Sequence, residues 1–246
     1  MSLPKFVHKE KLYYFCMTKN QILDSMAILE VCCGNLASVE AAVWGGAERI
    51  ELCSALSLGG VTPSIGLLQH VRNRFPDLRV HPLIRLREGS FVYTAHEVEV
   101  MVRDIEAALP WCDGIVCGAL TPDGDIDVPA MRRMMDAAHG LPVTFHRAID
   151  RCRDPYTALE QIIEMGCKRI LTSGQQPKAL QGVDLLRRLN EKAAGRIIIM
   201  PGGGVTPDSA RVILDRTGCH EIHASCSSGT GVTDPAAVRQ ILQALS

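Results

Sequence analysis

From residue 26 onward, short apolar runs rich in β-branched residues alternate with longer segments whose apolar residues recur at helical spacing. This is the rhythm of βα units joined into a parallel sheet. The pattern predicts eight strands, at Ile28–Cys32, Arg49–Leu52, Arg79–Ile84, Gly114–Val116, Val143–Phe145, Arg169–Thr172, Ile197–Met200 and Glu221–Ala224. It predicts a helix after each, at Ser38–Trp44, Ile65–Arg74, His96–Leu109, Val128–Ala138, Tyr156–Met165, Ala179–Ala194, Pro207–Arg216 and Pro235–Leu245. Asp154-Pro155, Thr206-Pro207 and Asp234-Pro235 each set a capping side chain before a proline in the first helical turn. Eight such units in roughly 220 residues match a single α/β domain of the (β/α)8 TIM barrel type, typically ~250 residues long. An open doubly wound sheet is the alternative; against it, Cys33-Gly34-Asn35 stands where a G-x-G-x-x-G turn would follow the first strand.

Composition narrows the function classes. The 246 residues carry 26 Lys+Arg against 27 Asp+Glu, a formal charge of -1, so the chain lacks the basic surplus that nucleic-acid phosphates require. With 47% hydrophobic and 22% charged residues it can bury one sizeable core, which excludes disorder, collagen and coiled coil. No apolar run approaches the ~20 residues of a membrane span, and no membrane partner is expected. Residues 1–25 are interrupted by charges and hold no signal-peptide core. They are expected to be an N-terminal extension without function, with the barrel over residues 26–246. Ten cysteines without an export signal point to the reducing cytoplasm, with free thiols serving mostly as small buried fillers.

The active face of a barrel is built at the C-terminal ends of its strands. There the sequence places Glu30, Cys32 and Cys33, then Glu51 and Cys53, then Arg85 and Arg87. His146-Arg147 with Asp150, Thr172-Ser173-Gly174, Gly202-Gly203-Gly204, and His223 with Ser225 follow on later strands. Charges within apolar strands need each other or a ligand. Both readings stand for Glu30, Glu51, Arg85, His146, Arg147 and His223, the candidate catalytic residues. His146 is equally a satisfied core histidine or an acid–base group. The turn Gly202-Gly203-Gly204, opening a helix at Thr206, suits an anion such as phosphate, with Arg87, Ser173, Ser225, Ser227 and Ser228 nearby; otherwise it is a tight turn needing glycine for its backbone angles. Cys32 and Cys53 occupy equivalent places on neighbouring strands, ~5 Å apart in backbone terms, where two thiolates suit Cu(I) or zinc. Buried structural cysteines are the other reading, and no C-x-x-C spacing is present.

Several blocks resemble the CutC family: Leu29-Glu30-Val31-Cys32, Glu48-Arg49-Ile50-Glu51-Leu52-Cys53, Gly59-Gly60-Val61-Thr62-Pro63-Ser64 and Ile84-Arg85-Leu86-Arg87. Gly118-Ala119-Leu120, Thr144-Phe145-His146-Arg147-Ala148, Leu171-Thr172-Ser173-Gly174 and Met200-Pro201-Gly202-Gly203-Gly204 continue it in order, from Met26 to Ser225. The resemblance implies a TIM barrel, a cytoplasmic and self-associating protein of copper homeostasis, and Cu(I) bound through Cys32 and Cys53. It also maps an enzyme-like polar mouth, with no established reaction, onto Glu30, Glu51, Arg85, Arg87, His146, Arg147 and His223. Two departures stand out. Leu86 occupies a position where proline is usual, which is expected to alter the third loop. Cys33-Gly34 replaces an apolar-Asp pair, which is expected to add a thiol beside the metal site. The alternative function is a TIM-barrel enzyme acting on a small anionic metabolite, phosphorylated or not.

Overall fold

The computed structural model describes residues 27–227 and 231–246. The extension expected over residues 1–25, and Ser228, lie outside them. The strands are β1 (Ile28–Cys33), β2 (Arg49–Leu52), β3 (Arg79–Pro82), β4 (Ile115–Cys117), β5 (Val143–Phe145), β6 (Arg169–Thr172), β7 (Ile198–Pro201) and β8 (Glu221–Ala224). They pair in parallel as β3-β2-β1-β8 and β4-β5-β6-β7, and parallel bridges Leu83–Val116 and Gly202–His223 join the two runs into a closed ring. The helices α1 (Leu36–Gly45), α2 (Ile65–Arg74), α3 (Ala95–Ala108), α4 (Val128–Ala137), α5 (Pro155–Glu164), α6 (Val183–Ala193), α7 (Pro207–Thr217) and α8 (Pro235–Leu245) follow the strands in turn. The fold is the (β/α)8 barrel that the periodicity predicts.

Local chemistry sets the boundaries. Asn35, Ser64, Asp127, Asp154 and Asp234 each accept a backbone N–H of the helix they precede, and Thr94 with Glu97 closes a capping box. Such a cap contributes about 1 kcal/mol and fixes where each strand-to-helix turn ends. Two predicted helices are cut short. The one expected over Ala179–Ala194 breaks at Gly182 into a 3-10 turn, Ala179–Gln181, followed by α6, because the chain there passes so close to Ser173 that a Cβ would lie 2.0 Å from its carbonyl oxygen. The other yields to a 3-10 turn at Leu109–Trp111, where Pro110 has no N–H to continue the ladder. β3 likewise ends at Pro82, two residues before its predicted end at Ile84.

Side chains alternate along each strand, so Leu29, Val31, Cys33, Ile50 and Leu52 pack outward in the main core against the helices. Their neighbours Glu30, Cys32, Arg49 and Glu51 turn into the barrel, where the register sets Glu30 level with Arg49 and His223, and Glu51 level with Cys32 and His81. The lower half of the barrel is therefore charged. Arg49 Nε lies 2.8 Å from Glu30 Oε2, Arg49 Nη2 also pairs with Glu221, and Arg169 Nε donates to Glu221 Oε2 at 2.7 Å. His81 Nδ1 is 3.1 Å from Glu30 Oε2. Two carboxylates and two guanidiniums balance, with Glu30 and Arg49 both 0% exposed. Burial alone would raise the Glu30 carboxyl, but the His81 hydrogen bond and the Arg49 charge outweigh it and hold it at about 2.

Removing one partner from such a network strands a buried charge, and Arg49→Met is expected to cost about 3–5 kcal/mol in urea unfolding. A loss under about 1 kcal/mol would show that the network contributes no more than a surface pair. The depressed Glu30 value also sets a pH window. Its contribution is present above the ordinary value near 4.5 and is lost as pH falls toward about 2, so unfolding midpoints followed down that range should drop in the wild type more than in Glu30→Gln.

Candidate functional site

A cavity of about 320 Å³ opens at the C-terminal ends of the strands. Ten of the residues singled out from sequence line it: Cys32, Glu51, Cys53, Arg85, His146, Arg147, Gly203, Gly204, His223 and Ser225. Four others stand outside its lining. Glu30 lies one inward-facing position below Cys32, sealed by Arg49 and His81, rather than at the mouth. Arg87 turns to the start of α3, where its Nε donates to Glu97 Oε1 at 2.5 Å and its Nη2 to the Val92 carbonyl at 2.8 Å. Ser173 is buried among Asp150, Arg147 and the Gln176 carbonyl. Gly202 packs so tightly that a Cβ would come within 2.5 Å of Leu171.

Cys32 and Cys53 meet across β1 and the end of β2, with their sulfurs 4.0 Å apart in a small cluster with Leu83, Val116 and Leu56. Cys32 Sγ also lies within 4.8 Å of one donor atom each from Glu51 and His223, and these three form a potential metal-holding group. The Cys32 thiol is pushed well above its ordinary value, first by its hydrogen bond with Cys53, then by burial and by the Glu51 charge. A metal bound here must displace protons. Cys33 corrects one expectation. It points to the helix side of β1, into the main core with its Sγ against the Val31 carbonyl, and adds no thiol to the site.

Glu51 Oε2 lies 2.9 Å from His223 Nε2. Burial alone would lower the His223 imidazole, but the hydrogen bond and charge of Glu51 raise it above its ordinary value. His146 is the opposite case. Its Nδ1 accepts the Ala148 N–H at 3.2 Å, so the neutral ring carries its proton on Nε2, a buried atom with no partner. Burial, opposed by Glu51 and reinforced by Arg85, pushes His146 down to about 4.

The two arginines at the mouth are held differently. Arg147 Nε donates to Asp150 Oδ2 at 2.8 Å, and Asp150 is itself saturated by Thr172 Oγ1 and by the N–H groups of Ser173 and Gln175. The Arg147 guanidinium lies against Gly203, where a Cβ would come within 3.1 Å of Nη1 and where φ is +106°, so glycine serves both the turn and the close approach. Arg85 donates from Nη1 to the Gly60 carbonyl and from Nη2 to the Gly89 carbonyl, both at 3.0 Å. Its Nε makes no hydrogen bond, the buried Tyr93 hydroxyl, itself unpartnered, interacts with the guanidinium, and among the described residues no carboxylate pairs with it. Phe91, which sequence reasoning missed, lines the cavity beneath Arg85 and His146. It sits in a loop nine residues beyond β3, where no strand-end rule points to it.

Imidazole nitrogen chemical shifts test this geometry. His146 is expected to remain the neutral Nε2–H tautomer at pH 6 and to charge only near 4. A His146 imidazolium at pH 6 would contradict its burial and its bond to Ala148.

Comparison with known proteins gives consistent findings. A model of the CutC family matches residues 27–228. A family protein CutC of Bacteroides thetaiotaomicron is 49% identical over 197 residues, 80% of this chain and 79% of the relative. One of Parabacteroides distasonis is 48% identical over 202 residues, covering 82% and 83%. The crystal structure of a candidate copper homeostasis protein, CutC from Streptococcus agalactiae, superposes with a TM-score of 0.78 at 33% identity, over 81% of this chain and 99% of that one. Phosphoribosylanthranilate isomerase from Thermotoga maritima, at 12% identity and a TM-score of 0.60 over 89% of this chain and 98% of that one, shares the barrel fold alone.

Proposed function

Because the chain belongs to the CutC family, we propose that it serves copper homeostasis by holding Cu(I) between the sulfurs of Cys32 and Cys53 in the mouth of its barrel. The observation that carries this is the pair of facing sulfurs, 4.0 Å apart on the wall of the cavity. An ion about 2.3 Å from each sulfur can span that gap, and soft thiolates favour Cu(I) among the available metals. Copper is here the cargo. Glu51 and His223, beside Cys32, are placed to take up the displaced thiol protons or to supply a further donor. A cytoplasmic location and self-association belong to the same reading and rest on the family resemblance. Among the described residues no helix is long and apolar enough to cross a membrane.

A second reading is favoured by the size and charge of the cavity. About 320 Å³ is some tenfold the ~30 Å³ that one water occupies, and a lone ion leaves most of it unfilled. Arg85, 6% exposed and without a carboxylate, and Arg147 over the Gly203-Gly204 turn make it attractive to an anion. In this reading the mouth belongs to an enzyme for a small anionic metabolite, with Glu51, His146 and His223 as its proton-handling groups.

Anaerobic competition titration with a Cu(I) chelator tests the first reading. The wild type is expected to bind stoichiometrically and Cys32→Ala/Cys53→Ala to lose that binding, whereas undiminished binding in the double variant would refute it. The second predicts a rise in melting temperature with inorganic phosphate or phosphorylated metabolites that is reduced in Arg147→Gln. No rise with any anion would contradict it.

A further inference from the structure

Two buried N–H groups in the cavity wall lack an acceptor, and both rest on one aromatic ring. They are His146 Nε2 and Arg85 Nε. The His146 and Phe91 ring centroids are 4.8 Å apart, and Arg85 Cζ stands 4.9 Å from the same Phe91 centroid. Phe91 therefore gathers the two donors into one part of the wall, while β5, which leads into His146, stands across the ring from β1 and Cys32.

Both groups have a fixed polarity. Ala148 occupies His146 Nδ1, which leaves Nε2 as a donor with no lone pair to offer a metal. Arg85 spends its Nη hydrogens on backbone carbonyls, which orient the guanidinium without neutralising it. A buried donor without an acceptor and a buried cation without a paired carboxylate are each unfavourable until an anionic acceptor reaches them. At this wall, away from the thiols, a cation would be repelled by Arg85, and a neutral apolar molecule would leave both donors unmet. The group that satisfies both is an anionic oxygen, and the cavity, near the lower end of the 300–1,000 Å³ typical of ligand sites, leaves room for a compact organic body behind it.

We propose that the Arg85–His146–Phe91 wall binds the anionic oxygens, carboxylate or phosphoryl, of a small organic acid or phosphate ester inside the cavity that also holds the thiol pair. The proposal rests on the anion reading of the cavity and refines it. The anchor is the third-loop arginine together with a neutral histidine donor, and Arg147 and the glycine turn form a separate rim. His146 is thus a specificity-determining hydrogen-bond donor and not a metal ligand.

The test is thermal-shift and calorimetric titration of the chelator-treated full chain with inorganic phosphate and, separately, with pyruvate. At least one of the two is expected to bind saturably. A response to phosphate alone assigns a phosphoryl ligand, and a response to pyruvate alone a carboxylate. His146→Phe keeps a ring against Phe91 but removes the donor, and Arg85→Lys keeps the charge but removes Nε. Each is expected to weaken the bound anion roughly tenfold or more, about 1.4 kcal/mol. If one of the two wall variants does not fold, as judged by its ligand-free melting transition, the other decides. Unchanged affinity in the folded wall variants would overturn the proposal while leaving an anion site elsewhere in the cavity, and no saturable binding of either probe would overturn both.

Discussion

Two carboxylates and two guanidiniums can be buried at the foot of a barrel only if each finds its partner, and Glu30, Arg49, Glu221 and Arg169 do so in a single strand register. A slip of one residue on β2 would drive Arg49 into the helix layer and bring Ile50 inside, at the cost of every one of these pairs. The same alternation that places the charges below then dictates what stands above them. Cys32 follows Glu30, Glu51 and Cys53 follow Arg49, and His223 and Ser225 follow Glu221, each two residues further along an inward-facing row. The ion network thus determines which side chains the mouth presents, although none of its four residues lines the cavity.

The two halves of the interior differ in how their charges are paired. Below, charge is balanced, and the strong pairs are dry. Above, two thiols share one hydrogen bond, His146 keeps an unused N–H, and Arg85 keeps an unneutralised charge. A fold tolerates such groups where a ligand completes them, and two of them, His146 Nε2 and Arg85 Nε, belong to residues that line the cavity. The copper reading uses the thiols on the β1–β2 side. The anion reading uses the donors gathered on Phe91, so the two draw on different residues of one mouth.

Much of this was legible in the sequence, because strand alternation and capped helix starts depend on local chemistry. Ten candidate site residues reach the cavity because they occupy C-terminal strand ends, as the barrel rule requires. Glu30 resembles Glu51 in every local respect, yet it lies in the layer beneath. Which of the two reaches the mouth depends on the stagger between strands and on Arg49 and His81, none of which a single strand encodes. Arg87 falls away because the loop after β3 delivers it to Glu97. Phe91 gains its place only through tertiary contact, and Cys33 is excluded by the period-two alternation applied one residue past Cys32.

That the facing thiols of Cys32 and Cys53 are where copper is held is the claim with the most at stake. Copper K-edge X-ray absorption of the full chain, loaded anaerobically with one equivalent of Cu(I), tests it most directly. A first shell dominated by two sulfurs, at a distance comparable to the ~2.3 Å of metal–thiolate bonds, is expected in the wild type and its loss in the Cys32→Ala/Cys53→Ala variant. A first shell of nitrogen and oxygen alone, or a sulfur shell that persists in the double variant, would contradict it.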